Sequence, residues 1–188
     1  GCGTALVTPF TAGDDIDESS SWLGGLSFIH TKAVDRDSDG DVFTGSDGLA
    51  IASLVYKWAP NGNPLAQNLA VSGEYFFGTE EGSFNGVDID LDRSGWYLQA
   101  VYQFMPRWRV GLRHDEVSTD SPPPLLIGST LDDRGHTPQS TSVLLEFDTS
   151  EFGRFRLQYN RDESDVVPNN EIVAQFTVSL GAHGAHSF

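Results

Sequence analysis

The chain has 188 residues, with 27 Asp+Glu against 11 Lys+Arg and a formal net charge of −16. That balance excludes a nucleic-acid partner, which needs a basic excess to neutralise phosphates. Its 12 Phe, 5 Tyr and 4 Trp exclude an acidic disordered chain, its single Cys excludes an internal disulfide, and the absence of a long apolar run excludes a transmembrane helix.

Residues 1–18 read as an N-terminal acidic segment carrying Asp14, Asp15, Asp17 and Glu18. No charged n-region with an apolar stretch opens the chain, so no signal peptide is expected, and Gly1-Cys2 is read as an ordinary start rather than a lipoprotein processing scar. Residues 19–188 carry a repeating period of two, the mark of strands that present different chemistry on their two faces. Trp22, Leu26 and Phe28 alternate with Ser27 and Thr31, and Leu54, Tyr56 and Trp58 with Ser53 and Lys57. Leu69, Val71, Tyr75 and Phe77 oppose Ser72 and Glu74. The pattern is clearest where Trp96, Leu98, Ala100, Tyr102 and Phe104 oppose Tyr97, Gln99, Val101 and Gln103. It continues through Trp108–Leu112, Val143–Phe147, Phe155–Tyr159 and Ile172–Leu180. Eight strands are expected, near 19–31, 48–58, 67–78, 94–104, 107–117, 140–148, 153–162 and 170–181.

Connections alternate between short and long. Ala59–Ala66, Met105-Pro106 and Thr149–Phe152 are short; Lys32–Asp47, Thr79–Arg93, Ser118–Gln139 and Asp162–Asn169 are expected as long loops and hold most of the acids. Even-numbered antiparallel strands, short turns at one end and long loops at the other describe an outer-membrane β-barrel. Tyr56, Trp58, Phe104, Trp108, Phe147, Phe152 and Phe155 gather beside the short turns, as an interfacial aromatic girdle does. The apolar parity is nearly free of charge, with His30 and His114 as mild exceptions near strand ends. A soluble lipocalin-like barrel or sandwich would also alternate, without concentrating aromatics at the turns. The fold class expected is all-β, an antiparallel transmembrane β-barrel, complete or part of a larger one.

The stretch Gly95–His114, the stretch Ser150–Arg161 and the ending Ser179–Phe188 resemble proteobacterial porin-like outer-membrane proteins, in particular a family described as zinc-regulated TonB-dependent outer-membrane receptors or porins. The resemblance runs over about residues 48–188 and implies that the chain corresponds to the C-terminal portion of such a protein. Neither a plug domain nor a TonB box is visible, and Phe188 matches the terminal aromatic by which such proteins are recognised for assembly.

The polar parity carries Glu74, Gln99, Gln103, Arg109, Arg113, Glu146, Arg154, Arg156, Gln158, Glu171 and Gln175. In a closed eight-strand barrel these side chains fill the interior and pair with one another; in a wider barrel they line a wet channel. Arg109, Arg113 and Arg156 share the inward parity of a constriction. Asp35, Asp37, Asp39, Gly40 and Asp41 match the opening of a calcium loop, but Ser46 stands where the bidentate Glu belongs and Asp47 follows one place late, so any calcium here is weak. Asp88-Ile-Asp-Leu-Asp92 is a poorer version lacking the glycine. His183 and His186 form an H-x-x-H that could hold zinc, short of a third ligand. The pairs His114–Asp115 and His136–Asp132 are the only dyads to be assembled on paper, phosphate loops and nucleophile elbows are absent, and no enzyme is expected.

The expected role is passage or uptake of small solutes or ions, with an acidic mouth that favours cations. The alternative is a closed, non-conducting barrel with a structural, adhesion or lipopolysaccharide-contacting role. No cofactor is required. Outer-membrane lipid and lipopolysaccharide, the barrel-assembly machinery and a second copy of the chain are the expected partners, and the bacterial outer membrane the expected location.

Overall fold

The computed structural model describes residues 5–179. It is all-β: nine strands form one sheet in chain order, each antiparallel to its neighbours. They are β1 (Ala5–Asp17), β2 (Ser20–Ser38), β3 (Asp41–Trp58), β4 (Asn68–Phe84), β5 (Val87–Met105), β6 (Trp108–Thr119), β7 (Gln139–Ser150), β8 (Gly153–Glu163) and β9 (Asn169–Val178). Two 3-10 turns, Pro60–Gly62 and Pro124–Leu126, complete the elements. A single cavity of about 820 Å³ touches Asp15 of β1, Lys57 of β3, Gln103 of β5, Arg109 of β6 and Asp148 of β7, so the sheet curls around one face. The fold is an up-and-down antiparallel wall of the β-barrel class. Among the described residues β1 and β9 each have a strand partner on one side only.

Two differences from the sequence reading have physical causes. First, β1 is an additional strand, paired with β2 from Ala5↔Thr31 to Asp17↔Ser20. Leu6 and Val7 are both exposed on opposite faces, so the segment shows no alternation to betray it. Second, Lys32–Asp47 and Thr79–Arg93 are not loops. β2 and β3 run on as a hairpin to Ser38↔Asp41, and β4 and β5 to Phe84↔Val87. Their turns are Asp39-Gly40 (φ 55° and 93°) and Asn85-Gly86 (φ 51° and 81°). Positive φ at both central residues is the type I′ turn that suits the twist of a hairpin, and Asp-Gly and Asn-Gly are its preferred dipeptides.

The outer face of the lower half is an apolar band with few charges: Asp14 stands opposite Trp22, and Glu116 and Arg161 lie on this face near its upper edge. Leu26 is 60% exposed, Leu54 56%, Leu98 52%, Leu112 55% and Leu157 52%. Trp96, Val110 and Phe176 also lie on this face and are exposed rather than packed inward. Register places Trp108, Phe147, Phe155 and Phe176 in one row across β6–β9 beside the short turns. Trp108 and Phe147 lie 4.7 Å apart by ring centroids, and Phe155 and Phe176 stack at 4.4 Å. At the other edge of the band Tyr75 opposes Trp96, which lies 5.4 Å from the His114 ring. From Trp96 to Met105 a strand climbs about 30 Å at about 3.3 Å per residue, roughly 23 Å of height at a tilt near 40°. That matches the apolar belt of an outer-membrane wall.

Above the band the polarity inverts. In β5, Val87, Ile89 and Leu91 point inward and Asp88, Asp90 and Asp92 outward, whereas lower down Trp96, Leu98, Ala100 and Tyr102 point outward. No register shift interrupts β4–β5. The buried apolar residues Phe43, Phe84, Ile89, Leu91 and Leu126 form a small core here, with Ala33, Val87 and Leu131 against it. Leu126 comes from the β6–β7 connection, which folds back over the inner face of the two long hairpins.

Candidate functional site

The inner face of β4–β9 carries rows of polar residues separated by a row that includes Ala70, Val101, Gly111, Leu144 and Val173. Register aligns Asn68, Gln103, Arg109, Glu146, Arg156 and Gln175 as one row across these strands. Glu146 is the hub of the row and is only 4% exposed. Its Oε1 accepts from Arg109 Nη1 at 3.0 Å and lies 3.2 Å from Arg154 Nε. Its Oε2 accepts from Arg156 Nη2 at 2.8 Å and Nε at 3.1 Å. Asp148 accepts from Arg154 Nε at 2.9 Å and pairs with Arg109 Nη1 at 2.9 Å. Three guanidinium groups thus share two carboxylates, leaving a local excess of one positive charge. Burying a carboxylate is affordable only with such pairing, and cross-strand spacing delivers it because directly opposed side chains on one face sit about 5 Å apart.

The row is tied to the β3–β4 connection. Gln103 Nε2 donates to the Leu65 carbonyl at 2.8 Å, Asn68 Nδ2 to the Pro64 carbonyl at 2.8 Å, and Arg109 Nε to Gln103 Oε1 at 3.2 Å. The segment Pro64–Ala66 therefore lies across the short-turn opening, beside the large cavity. Two inward rows up, Arg113 donates from Nε to Asp115 Oδ1 at 3.0 Å and from Nη1 to Gln99 Oε1 at 3.4 Å, with its guanidinium 4.2 Å from the Tyr97 ring centre. Glu74 faces Tyr97 across the β4–β5 ladder. Gln158 donates to Asn160 Oδ1 at 2.6 Å, and Asn160 to Glu171 Oε2 at 3.2 Å. The expected inward set, Glu74, Gln99, Gln103, Arg109, Arg113, Glu146, Arg154, Arg156, Gln158, Glu171 and Gln175, shares one face throughout. Alternation alone did not single out Asp148, Asp115, Asn68 and Asn160; their partners are set by register.

The four aspartates of the calcium-like motif are not brought together. Asp35 Oδ1 accepts from Thr44 Oγ1 at 3.1 Å, and Asp37 Oδ1 from the Gly40 amide at 3.1 Å. Asp41 takes Asn85 Nδ2 at 2.8 Å and Thr130 Oγ1 at 2.7 Å. Asp39 sits in the hairpin turn itself. Among the described residues no group of three or more His, Cys, Asp or Glu is placed to hold a metal. Asp88, Asp90 and Asp92 are the outward, exposed half of the β5 alternation. His183 and His186 lie outside the described residues. The paper dyads are not assembled: His114 Nδ1 meets Thr141 Oγ1 at 2.8 Å while Asp115 turns to Arg113 on the other face, and His136 Nε2 meets the Glu163 carbonyl at 2.8 Å.

The β6–β7 connection closes part of the upper end. Beyond Leu126, the Thr130–Asp41 bond fastens it to the β2–β3 tip, and Asn85 binds that tip to the β4–β5 tip, accepting from the Val42 amide at 2.8 Å. Hydrogen bonds from Asn85 and Thr130 hold the Asp41 carboxyl below its ordinary value of 3.8. The Gly128 and Arg134 amides do the same for Asp132 within the connection. Sequence reasoning missed this cap because Leu126 stands in an aperiodic, proline-rich stretch.

No family model matches the chain. An uncharacterized protein of Aquifex aeolicus (strain VF5) is 26% identical over 198 residues, covering 97% of this chain and 39% of the relative. The chain thus spans about two fifths of that relative's length. Among solved structures, the NanC porin in a rhombohedral crystal form superposes with a TM-score of 0.46 and 7% identity, covering 94% of each chain. A superposition at that level assigns nothing by itself.

Proposed function

We propose that this chain is wall of an outer-membrane β-barrel that passes small solutes or ions, with its short turns in the periplasm and its long hairpins outside. The inversion of polarity along β5 supports this reading. Where apolar side chains point outward they are exposed in a band of membrane height that carries few charges; where they point inward they are buried and the outer positions are acidic. A single solvent on the outside does not select both patterns in one uninterrupted strand. Lipid around the lower half and water around the upper half do. Lipid and lipopolysaccharide then cover the band, and the barrel-assembly machinery inserts it.

The interior supplies the passage chemistry. The Arg109–Glu146–Arg156 row and Arg113 present charge to the inside, and exposed Asp37, Asp39, Asp88, Asp90 and Asp92 ring the mouth, raising local cation concentration. Reconstitution in planar bilayers tests the reading: stepwise conductance with a reversal potential favouring potassium over chloride is expected. Unchanged conductance in Arg113→Ala and Arg156→Ala would remove these arginines as a constriction. The near-complete burial of Glu146 among three arginines favours a second reading, a filled, non-conducting wall with a structural or lipopolysaccharide-contacting role, and folded protein without conductance would select it. The proposal keeps the porin-like part of the sequence resemblance and leaves its TonB-dependent part aside.

A further inference from the structure

A recess of about 270 Å³ opens on the inner face where the strands leave the band, directly below the small upper core. Its floor is formed by Gly78 of β4 and Gly95 of β5. A Cβ added at Gly78 would meet nothing nearer than 3.7 Å, and at Gly95 nothing nearer than 3.4 Å, and neither has the left-handed backbone that demands glycine. The backbone therefore requires glycine at neither position, and what the two glycines provide is space. Glycine inside a strand marks a place where something approaches the sheet closely.

The walls of this space are apolar and its upper rim is charged. Leu49, Phe76 and Val117 surround the floor, and Asp47, Glu80 and Arg93 stand at one end. Arg93 pairs with Glu80, whose side chain is 5% exposed, while Arg93 keeps 45% of its own side chain open. Asp47 accepts from Thr31 Oγ1 at 3.4 Å and lies 3.8 Å from Arg36. The rim charges thus cancel in pairs, so a charged ligand would bring an unmatched charge into a half-buried place, at a cost. A guanidinium still offers spare N–H donors and a carboxylate spare acceptor sites. A hydroxyl satisfies both at once.

We propose that this recess binds small neutral amphiphiles: an apolar body, ring-sized or a short alkyl chain, over Gly78 and Gly95, and a hydroxyl-type head at Arg93 and Asp47. The site rests on the reading of the inner face as solute-facing and names the class of solute that pauses there. The test is a titration of benzyl alcohol into methyl-labelled protein in lipid nanodiscs, read by nuclear magnetic resonance. Saturable shifts are expected at the Leu49 and Val117 methyls, against a linear drift at lipid-facing Leu98 and Leu112. Gly78→Val and Gly95→Val each fill the floor and should weaken binding at least tenfold, with unaltered Leu98 and Leu112 positions reporting an intact fold. Benzoate and benzylammonium should bind at least fivefold more weakly than the alcohol. Unsaturable shifts at Leu49 and Val117, saturation that survives both valine variants, or equal binding of the charged analogues overturns the proposal. Saturable binding in a protein that conducts nothing would leave this site standing while removing passage.

Discussion

The same strands carry two different proteins, one above the other. In the lower half the outside is apolar and the inside is a charged lattice around Glu146; in the upper half the inside is a hydrophobic core around Phe43 and Leu91 and the outside is acidic. Each half satisfies the same rule, that apolar surface avoids water, and they differ only in where the water is. On the proposed reading, lipid hides Leu26, Leu54, Leu98 and Leu112 in the lower half. The upper half hides its apolar groups by itself, by lengthening two hairpins and folding Leu126 down on them.

If that contrast is correct, the largest effect comes from the lower lattice. Glu146→Ala strands three guanidinium groups without their shared partner and should cost about 3 kcal/mol, the low end for a broken buried pair because the arginines are partly exposed. Urea-induced unfolding in detergent micelles, followed by tryptophan fluorescence, measures it. Leu126→Ala should remove about 2 kcal/mol, the low end for a leucine in so small a core, from the cap alone, so amide exchange should speed up in residues 120–138 while the band stays protected. A charge on the lipid face, Leu98→Arg, one outward step inside the Trp96 edge of the band, should cost about 1–2 kcal/mol in bilayers. The neighbouring exchange Asp90→Leu, on the same face but above the band, should stay within about 0.5 kcal/mol. Equal costs for Leu98→Arg and Asp90→Leu would erase the proposed boundary between them.

The smallest effect is one of pH. Asp41 and Asp132 are held below their ordinary value by hydrogen bonds made only in the folded cap. A depressed folded-state pKa gives stability that is full above the unfolded value of 3.8 and is lost as pH falls through the folded one. A spin label at Leu125→Cys, in a Cys2→Ser background, should therefore gain mobility below about pH 4 and show none of this between pH 5 and 8.

How far the sequence reaches follows from the same contrast. The outward apolar parity from Trp96 to Phe104 is readable because this stretch alternates without a break, and the inward polar set follows from it by parity alone. The hairpin extensions were not read as strands, because Asp88-Ile-Asp-Leu-Asp92 and the aspartates of 35–41 look like acidic loops or cation ligands when only charge is weighed. The Asp39-Gly40 and Asn85-Gly86 dipeptides were the overlooked signal. β1 escapes because apolar and polar residues are mixed on both of its faces, with Leu6 and Phe10 opposite Val7 and Asp14 opposite Asp15, so alternation vanishes. The hub at Glu146 could not be foreseen in detail, since which arginine meets which carboxylate is decided by strand register and not by spacing along the chain.

The count of strands has a consequence for the seam. Among the described residues the meander has nine strands, whose first and last members travel in the same direction, so joining these two edge to edge would make a parallel ladder in an otherwise antiparallel wall. Their free borders cannot stay bare in hydrocarbon, where each unmatched amide or carbonyl costs several kcal/mol. On the proposed reading, a closed wall in which every neighbour runs opposite holds an even number of strands in all.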